Sequence, residues 1–199
     1  MAYRETPLVK QRKLAQKSGL LHAAESLVRG GGFGALTIQA LAATAGVGVG
    51  TVYRYFSNKD ELSTEVFRRA TLREVEAVKV ALLAEGAVPE RLAVAIELFA
   101  QRAFAAPKLA WALIAEPVDP AVDIARLQYR KTYSALFEIV IAEGVDTGVL
   151  VPQIPSLSAA ALVGAMAESL LGPLDHPSCN ELTTTALREF CLRGVGVVA

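Results

Sequence analysis

Apolar residues recur at three- and four-residue steps along nearly the whole chain, and no segment sustains the apolar/polar alternation that marks a strand. The pattern predicts an all-α protein of about nine helices. Leu14, Leu20, Leu21, Ala24, Leu27 and Val28 mark a first helix over 11–29, stopped by the run Gly30, Gly31, Gly32. Thr37 stands in N-cap position before Ile38, Leu41 and Ala42, and Gly46 closes this second helix after about two turns. A third short helix is predicted over 49–55, with Val52 and Phe56 turned inward.

Ser57 is placed to cap a long fourth helix reaching residue 83 through Leu62, Val66, Ala70, Val75, Val78 and Leu82. Prolines and glycines divide the remainder into five helices, over 89–104, 107–115, 120–143, 157–171 and 180–194, with Gly144 read as a stop. Two units follow: 1–58, with the first three helices, and 59–199, with the remaining six.

Composition narrows the class. The 199 residues are 53% hydrophobic and 20% charged, which excludes disorder as a default. Charged residues break every long apolar stretch, so no spanning helix, no membrane partner and a soluble protein are expected. The N-terminus leads into no apolar signal core, which points to the cytoplasm. Cys179 and Cys191 lack metal-ligand spacing, and on one helix they would stand about 18 Å apart, too far for a bridge. Both are expected to be free thiols, with Cys191 and Cys179 simply packed.

The net charge of zero conceals an asymmetry. Residues 1–60 hold eight basic against three acidic side chains, a balance of +5 that the rest of the chain offsets. A basic N-terminal unit on an otherwise acidic chain suits a polyanionic partner. Arg4, Lys10, Arg12 and Lys13 are candidates for a mobile basic arm that follows a nucleic-acid backbone or enters a minor groove.

Two helices of about two turns joined through Gly46, Val47 and Gly48 have the form of a helix-turn-helix, whose second helix enters the DNA major groove. Outward from that helix point Val49, Gly50, Thr51, Tyr53, Arg54 and Tyr55. Hydroxyl and guanidinium groups suit phosphates and base edges, while Val49 suits a thymine methyl or a sugar. A purely structural helical hairpin with half-buried tyrosines would have the same pattern.

The stretch LTIQALAATAGVGVGTVYRYFSNKDEL, residues 36–62, resembles the DNA-binding signature of the TetR family of bacterial transcriptional regulators. The matching positions are Thr37, Ala45, Gly46, Val47, Gly50, Thr51, Val52, Tyr53, Tyr55, Phe56 and Lys59, and the preceding helix with its corner at Gly32 and Phe33 is similar as well. The resemblance implies phosphate contacts from Thr37, Tyr53, Tyr55 and Lys59, and base reading by Val49, Gly50, Thr51 and Arg54 with Gln39 at the groove edge. Thr37 is equally suited to capping its helix. Gly48 departs from the family, whose members often carry Ser or Thr there. The resemblance further implies that 1–58 is the DNA-binding unit and 59–199 the unit for effector binding and dimerisation, with a homodimer through the last two helices, a pseudo-palindromic double-stranded DNA operator and a small-molecule effector.

Other chemistry is poorly supported. Gly30, Gly32 and Ala35 satisfy GxGxxA, but a helix rather than a strand precedes them. His22 and His176 have no partner at catalytic spacing, and Glu74 and Glu76 read as solvated surface. Neither an enzyme nor a metal or other cofactor is expected. The alternative is a helical small-molecule-binding or enzymatic protein whose basic N-terminus is incidental. In the C-terminal half Phe99, Trp111, Tyr129, Tyr133 and Phe137, with Arg102 or Arg126 as polar anchor, are the expected effector-binding residues. Small residues Ala160, Ala161, Gly164, Ala165 and Ala167, together with Leu182, Ala186, Leu187, Phe190 and Val197, are the expected dimer face.

Overall fold

The computed structural model describes residues 6–175 and 180–197, and among these it holds nine α-helices, two single turns of 3-10 helix and no strand beyond an isolated Leu150–Val197 bridge. Arg4, His176 and Cys179 lie outside the described residues. Helix α1 spans Pro7–Gly31, starting a turn before its apolar stripe because the Thr6 hydroxyl accepts from the Val9 amide and Pro7 suits a first helical position. Lys10, Arg12 and Lys13 therefore sit on a helix, not in the mobile arm expected of them.

After a 3-10 turn at Phe33–Ala35 come α2 (Ile38–Thr44), α3 (Val49–Tyr53) and α4 (Lys59–Leu82). Asn58, not Ser57, caps α4: its side chain accepts from the Glu61 amide at 2.8 Å. Ser57 instead donates its amide and hydroxyl to the Glu61 carboxylate, a reciprocal arrangement that lowers the Glu61 pKa. Then follow α5 (Val88–Ala105), α6 (Pro107–Ile114), α7 (Pro120–Asp146), α8 (Pro155–Leu170) and α9 (Asn180–Gly194). Helix α7 runs through Gly144, the expected stop, because Leu150 folds back onto it where a Cβ would come within 2.6 Å. Glycine here serves close packing within a helix, not its end.

Two apolar cores share α4. Leu62, Val66, Phe67 and Ala70 close over Leu20, Ala24, Val28, Leu41 and Val52 in the first; Val75, Val78 and Leu82 enter the second with residues of α5, α7, α8 and α9. Leu109 and Ala112 of α6 and Val122 and Ala125 of α7 also belong to the first core, so its packing does not break at residue 58. Buried Glu25 of α1 faces Arg69 and Arg73 of α4 at 3.0 and 2.8 Å, adding a polar clasp beside the apolar one. Cys191 is buried, and burial raises its thiol pKa to about 11.

One stretch departs from the expected charge interruption. Pro155–Asp175 is long and apolar enough to cross a membrane by length and composition, and a third of it is buried within the chain. Its outward residues, including Leu157, Ala160, Ala161 and Gly164, are exposed.

The α6–α7 connection is tied to the turn after α1 by Glu116. Its carboxylate is buried and accepts from the amides of Phe33 at 2.7 Å and Gly34 at 3.1 Å. Gly32 beside it has φ +70°, and a Cβ there would lie 2.7 Å from the carboxylate. Lys108 of α6 adds a bond to the Gly30 carbonyl at the end of α1. Replacing Glu116 by Gln puts an amide donor against a buried backbone N–H, so Glu116→Gln is expected to lower stability by about 1–3 kcal/mol. Gly32→Ala, strained in backbone and space, should cost more than about 1 kcal/mol. Urea unfolding checks both; midpoints equal to that of the parent protein would rule out the clasp as a stabilising contact.

Candidate DNA-binding surface and internal cavity

The turn between α2 and α3 is built by the sequence itself. Gly46, at φ +65°, lets its own amide reach the Ala43 carbonyl and the Val47 amide reach Ala42, a hydrogen-bonded helix end that residues other than glycine adopt at a cost. Val52 is fully buried against α2 and α1, which fixes the opposite face of α3 outward. Thr37 caps α2 by accepting from the Ala40 amide at 3.0 Å, leaving its hydroxyl proton available to donate. Gly48 caps α3 without a side chain.

Most of the remaining candidates are exposed. Val49, Gly50, Tyr53, Arg54, Lys59 and Gln39 are exposed, and Thr51 is half-buried. Arg54 donates to the Thr51 hydroxyl at 3.1 Å, so these two present a joined polar unit. Tyr53 has no hydrogen-bond partner among the described residues. Tyr55 differs: its hydroxyl donates to Gln16 of α1 at 2.8 Å, which ties the end of α3 to the first helix. Nothing within 4 Å would meet a Cβ at Gly50, so that position is bare backbone facing solvent.

The amides of the GxGxxA stretch are likewise accounted for, since Phe33 and Gly34 donate to Glu116. His22 is exposed and lies 3.0 Å from Arg69. Among the described residues no cluster of His, Cys, Asp and Glu has the arrangement of a metal site.

A cavity of about 270 Å³ lies among α1, α4, α5, α6, α7 and α8. Phe99, Arg102, Tyr129 and Tyr133 line it, as does Arg126. Tyr133 meets Phe99 edge to face at 5.9 Å, and burial raises its phenol pKa, with Glu74 adding to the shift. Tyr129 packs on Phe67 and donates to the Arg68 carbonyl.

Three assignments change. Trp111 does not line the cavity: Leu109, Ala110 and Leu113 take the inner face of α6, and the helical twist leaves Trp111 39% exposed. Phe137 is one turn beyond Tyr133 on α7 and lies wholly in the second core. Arg126 is in the wall but its guanidinium is committed, donating to the carbonyls of Ala112, Leu113 and Glu116 and to Asp123. It ties the end of α6 instead of offering a free anchor, and burial lowers its pKa.

Sequence periodicity also missed part of the wall. Arg29, Phe67, Thr71, Glu74 and Arg130 line the cavity, and Glu74, read as solvated surface, holds Arg102 through two bonds of 2.5 and 3.0 Å. This pairing raises the Arg102 pKa. Among the described residues the buried Thr71 hydroxyl has no partner. A Glu74 to Arg102 contact spans two helices, so spacing along either one carries no sign of it.

Residues 20–66 match the family described as bacterial regulatory proteins, tetR family. No curated protein matches the chain significantly. Among solved structures, the transcriptional regulator FadR from Bacillus subtilis in complex with stearoyl-CoA is similar at 18% identity and TM-score 0.76, covering 89% of this chain and 98% of that one. NemR of E. coli in its reduced form is 18% identical with TM-score 0.76, covering 92% and 100%. A TetR transcription regulator from Haloarcula marismortui is 22% identical with TM-score 0.75, covering 89% and 96%. The helix-turn-helix thus lies inside the residues that match the tetR-family model, and the fold is shared along nearly the whole chain with these solved structures.

Proposed function

We propose that the protein is a cytoplasmic homodimeric repressor that binds a pseudo-palindromic operator through α3 and releases it when a small molecule fills the cavity. The observation that carries this reading is the exposed face of α3, where Tyr53 and the Thr51–Arg54 pair stand outward while Val52 anchors the helix to the first core. Thr37, Tyr53, Tyr55 and Lys59 would hold phosphates; for Tyr55 this requires exchanging its bond to Gln16. Val49, Gly50, Thr51 and Arg54 would face base edges, with Gln39 beside them.

Dimerisation fits the outward residues of the last two helices. Leu182, Ala186 and Phe190 form an exposed stripe at four-residue steps on α9, and Leu157, Ala161 and Gly164 are exposed on α8, which packs on α9. Two copies of this pair would make a four-helix bundle and give the apolar stretch of α8 a protein partner. Leu187 and Ala167 face the chain's own interior and would take no part.

Release follows from the shared helix. Thr71, Glu74 and Val78 of α4 line the cavity, while Leu62 and Val66 of the same helix support the DNA-binding unit. Recognition helices must sit about 34–36 Å apart to enter successive major grooves, so a ligand that favours another α4 angle costs the dimer one half-site. Each tenfold loss of operator affinity needs about 1.4 kcal/mol of preference between the two states.

Three outcomes test these assignments. Tyr53→Phe should weaken operator binding by about 1–3 kcal/mol per dimer irrespective of sequence, whereas Arg54→Ala should shift base preference. Gel shifts on the DNA flanking the protein's gene, run across a salt series, check both, and binding insensitive to salt would reject the phosphate contacts. Phe190→Glu should yield monomers by analytical ultracentrifugation with loss of operator affinity; a dimer that persists places the interface elsewhere. Ala110→Trp, filling the cavity, should leave operator binding intact but abolish induction, while Trp111→Phe should not alter effector affinity. A cavity-filled variant that still responds would show that the effector binds at another site.

A further inference from the structure

The cavity is unbalanced in charge. Four guanidiniums line it, from Arg29, Arg102, Arg126 and Arg130, against the single carboxylate of Glu74. Two of the four are already neutralised or committed: Arg102 by Glu74, and Arg126 by three carbonyls and Asp123. The other two are not. Arg29 makes no hydrogen bond or ion pair among the described residues, and Arg130 reaches only the Ile114 carbonyl, at 3.5 Å. Both are exposed and therefore stand at the rim.

Arg126 and Arg130 stand one turn apart on α7, so two positive charges share that part of the wall. Inside the rim most of the lining is apolar, with Phe67, Val78, Phe99, Leu109, Val163 and Met166, beside the Thr71 hydroxyl and Tyr133. The rim guanidiniums are exposed to water, which a neutral ligand would leave in place, and a cation would raise the repulsion. An anionic head satisfies guanidinium donors with charge-assisted hydrogen bonds while an apolar body fills the interior.

We propose that the effector is an anionic amphiphile, an aliphatic or similarly apolar body carrying a carboxylate or phosphate head, with the head bound by Arg29 and Arg130. The proposal rests on reading the cavity as the effector site. Arg29 belongs to α1 and Arg130 to α7, so the head group would touch the DNA-binding unit directly and bridge it to the effector unit. Head and body then have separate tasks: the body supplies affinity, and the head supplies selectivity and a contact across the joint.

Calorimetric titration of the full-length protein with long-chain alkanoates and the matching 1-alkanols, below their aggregation concentrations, tests this. The alkanoate should bind at least about tenfold more tightly than the alkanol of equal length. In the double variant Arg29→Gln, Arg130→Gln that preference should disappear while alkanol affinity stays within about threefold of the parent, with circular dichroism confirming the fold. Equal affinity for the two compounds, or a preference that survives the double variant, overturns the head-group assignment alone. Failure of both compounds to bind, or binding unaffected by Ala110→Trp, overturns it together with the reading of the cavity.

Discussion

The architecture depends on one helix serving two cores. The N-terminal half of α4 offers Leu62, Val66, Phe67 and Ala70 to the first core, and its C-terminal half offers Val75, Val78 and Leu82 to the second. Neither core can be closed without it. Because close-packed interiors resist gradual deformation, a change in how the second core holds α4 would be passed to the first as a change of angle, as the proposed release requires. The same requirement explains the length of α4 and the clasp of Arg69 and Arg73 on Glu25, which binds α1 to the half of α4 nearest the DNA-binding surface.

The DNA-binding unit was readable because its determinants are local. Thr37 caps the helix it precedes, Gly46 makes the turn it sits in, and Val52 and Phe56 point inward from a single short segment. Such features depend on neighbours a few residues away, which periodicity and turn chemistry report directly. Even here, neighbouring polar residues exchanged roles: Asn58 took the cap assigned to Ser57, since both precede α4 and only geometry decides between them. The start of α1 was hidden for a different reason, because Leu8 is exposed and carries no apolar signal.

The cavity was legible only in part, and the division has a physical basis. Aromatics at helical spacing mark buried surface, but burial in a core and burial at a cavity wall look alike along a chain; Phe137 and Phe99 differ only in what faces them. Trp111 misled through its size, since a large ring on a short helix suggests an interior that the twist of α6 gives to Leu109, Ala110 and Leu113. Arg29 was the reverse case. It reads as the end of a DNA-binding helix, and its place on the rim arises from the packing of α6 and α7 against α1.

Glu116 bears on how freely such proteins can exchange parts. Its carboxylate occupies the space that a side chain at residue 32 would fill, and it satisfies amides belonging to the unit that reads DNA. The two halves of the chain are thus matched in shape and in hydrogen bonding at a place outside α3 and outside the exposed stripe of α9. A chimera that joined this C-terminal half to a foreign reading head would inherit an acceptor in search of donors unless the new head also brought a glycine and two free amides to the corner. Compatibility between halves is in that sense written at the corner after α1, and shuffling of specificities among relatives would be confined to those whose corners agree.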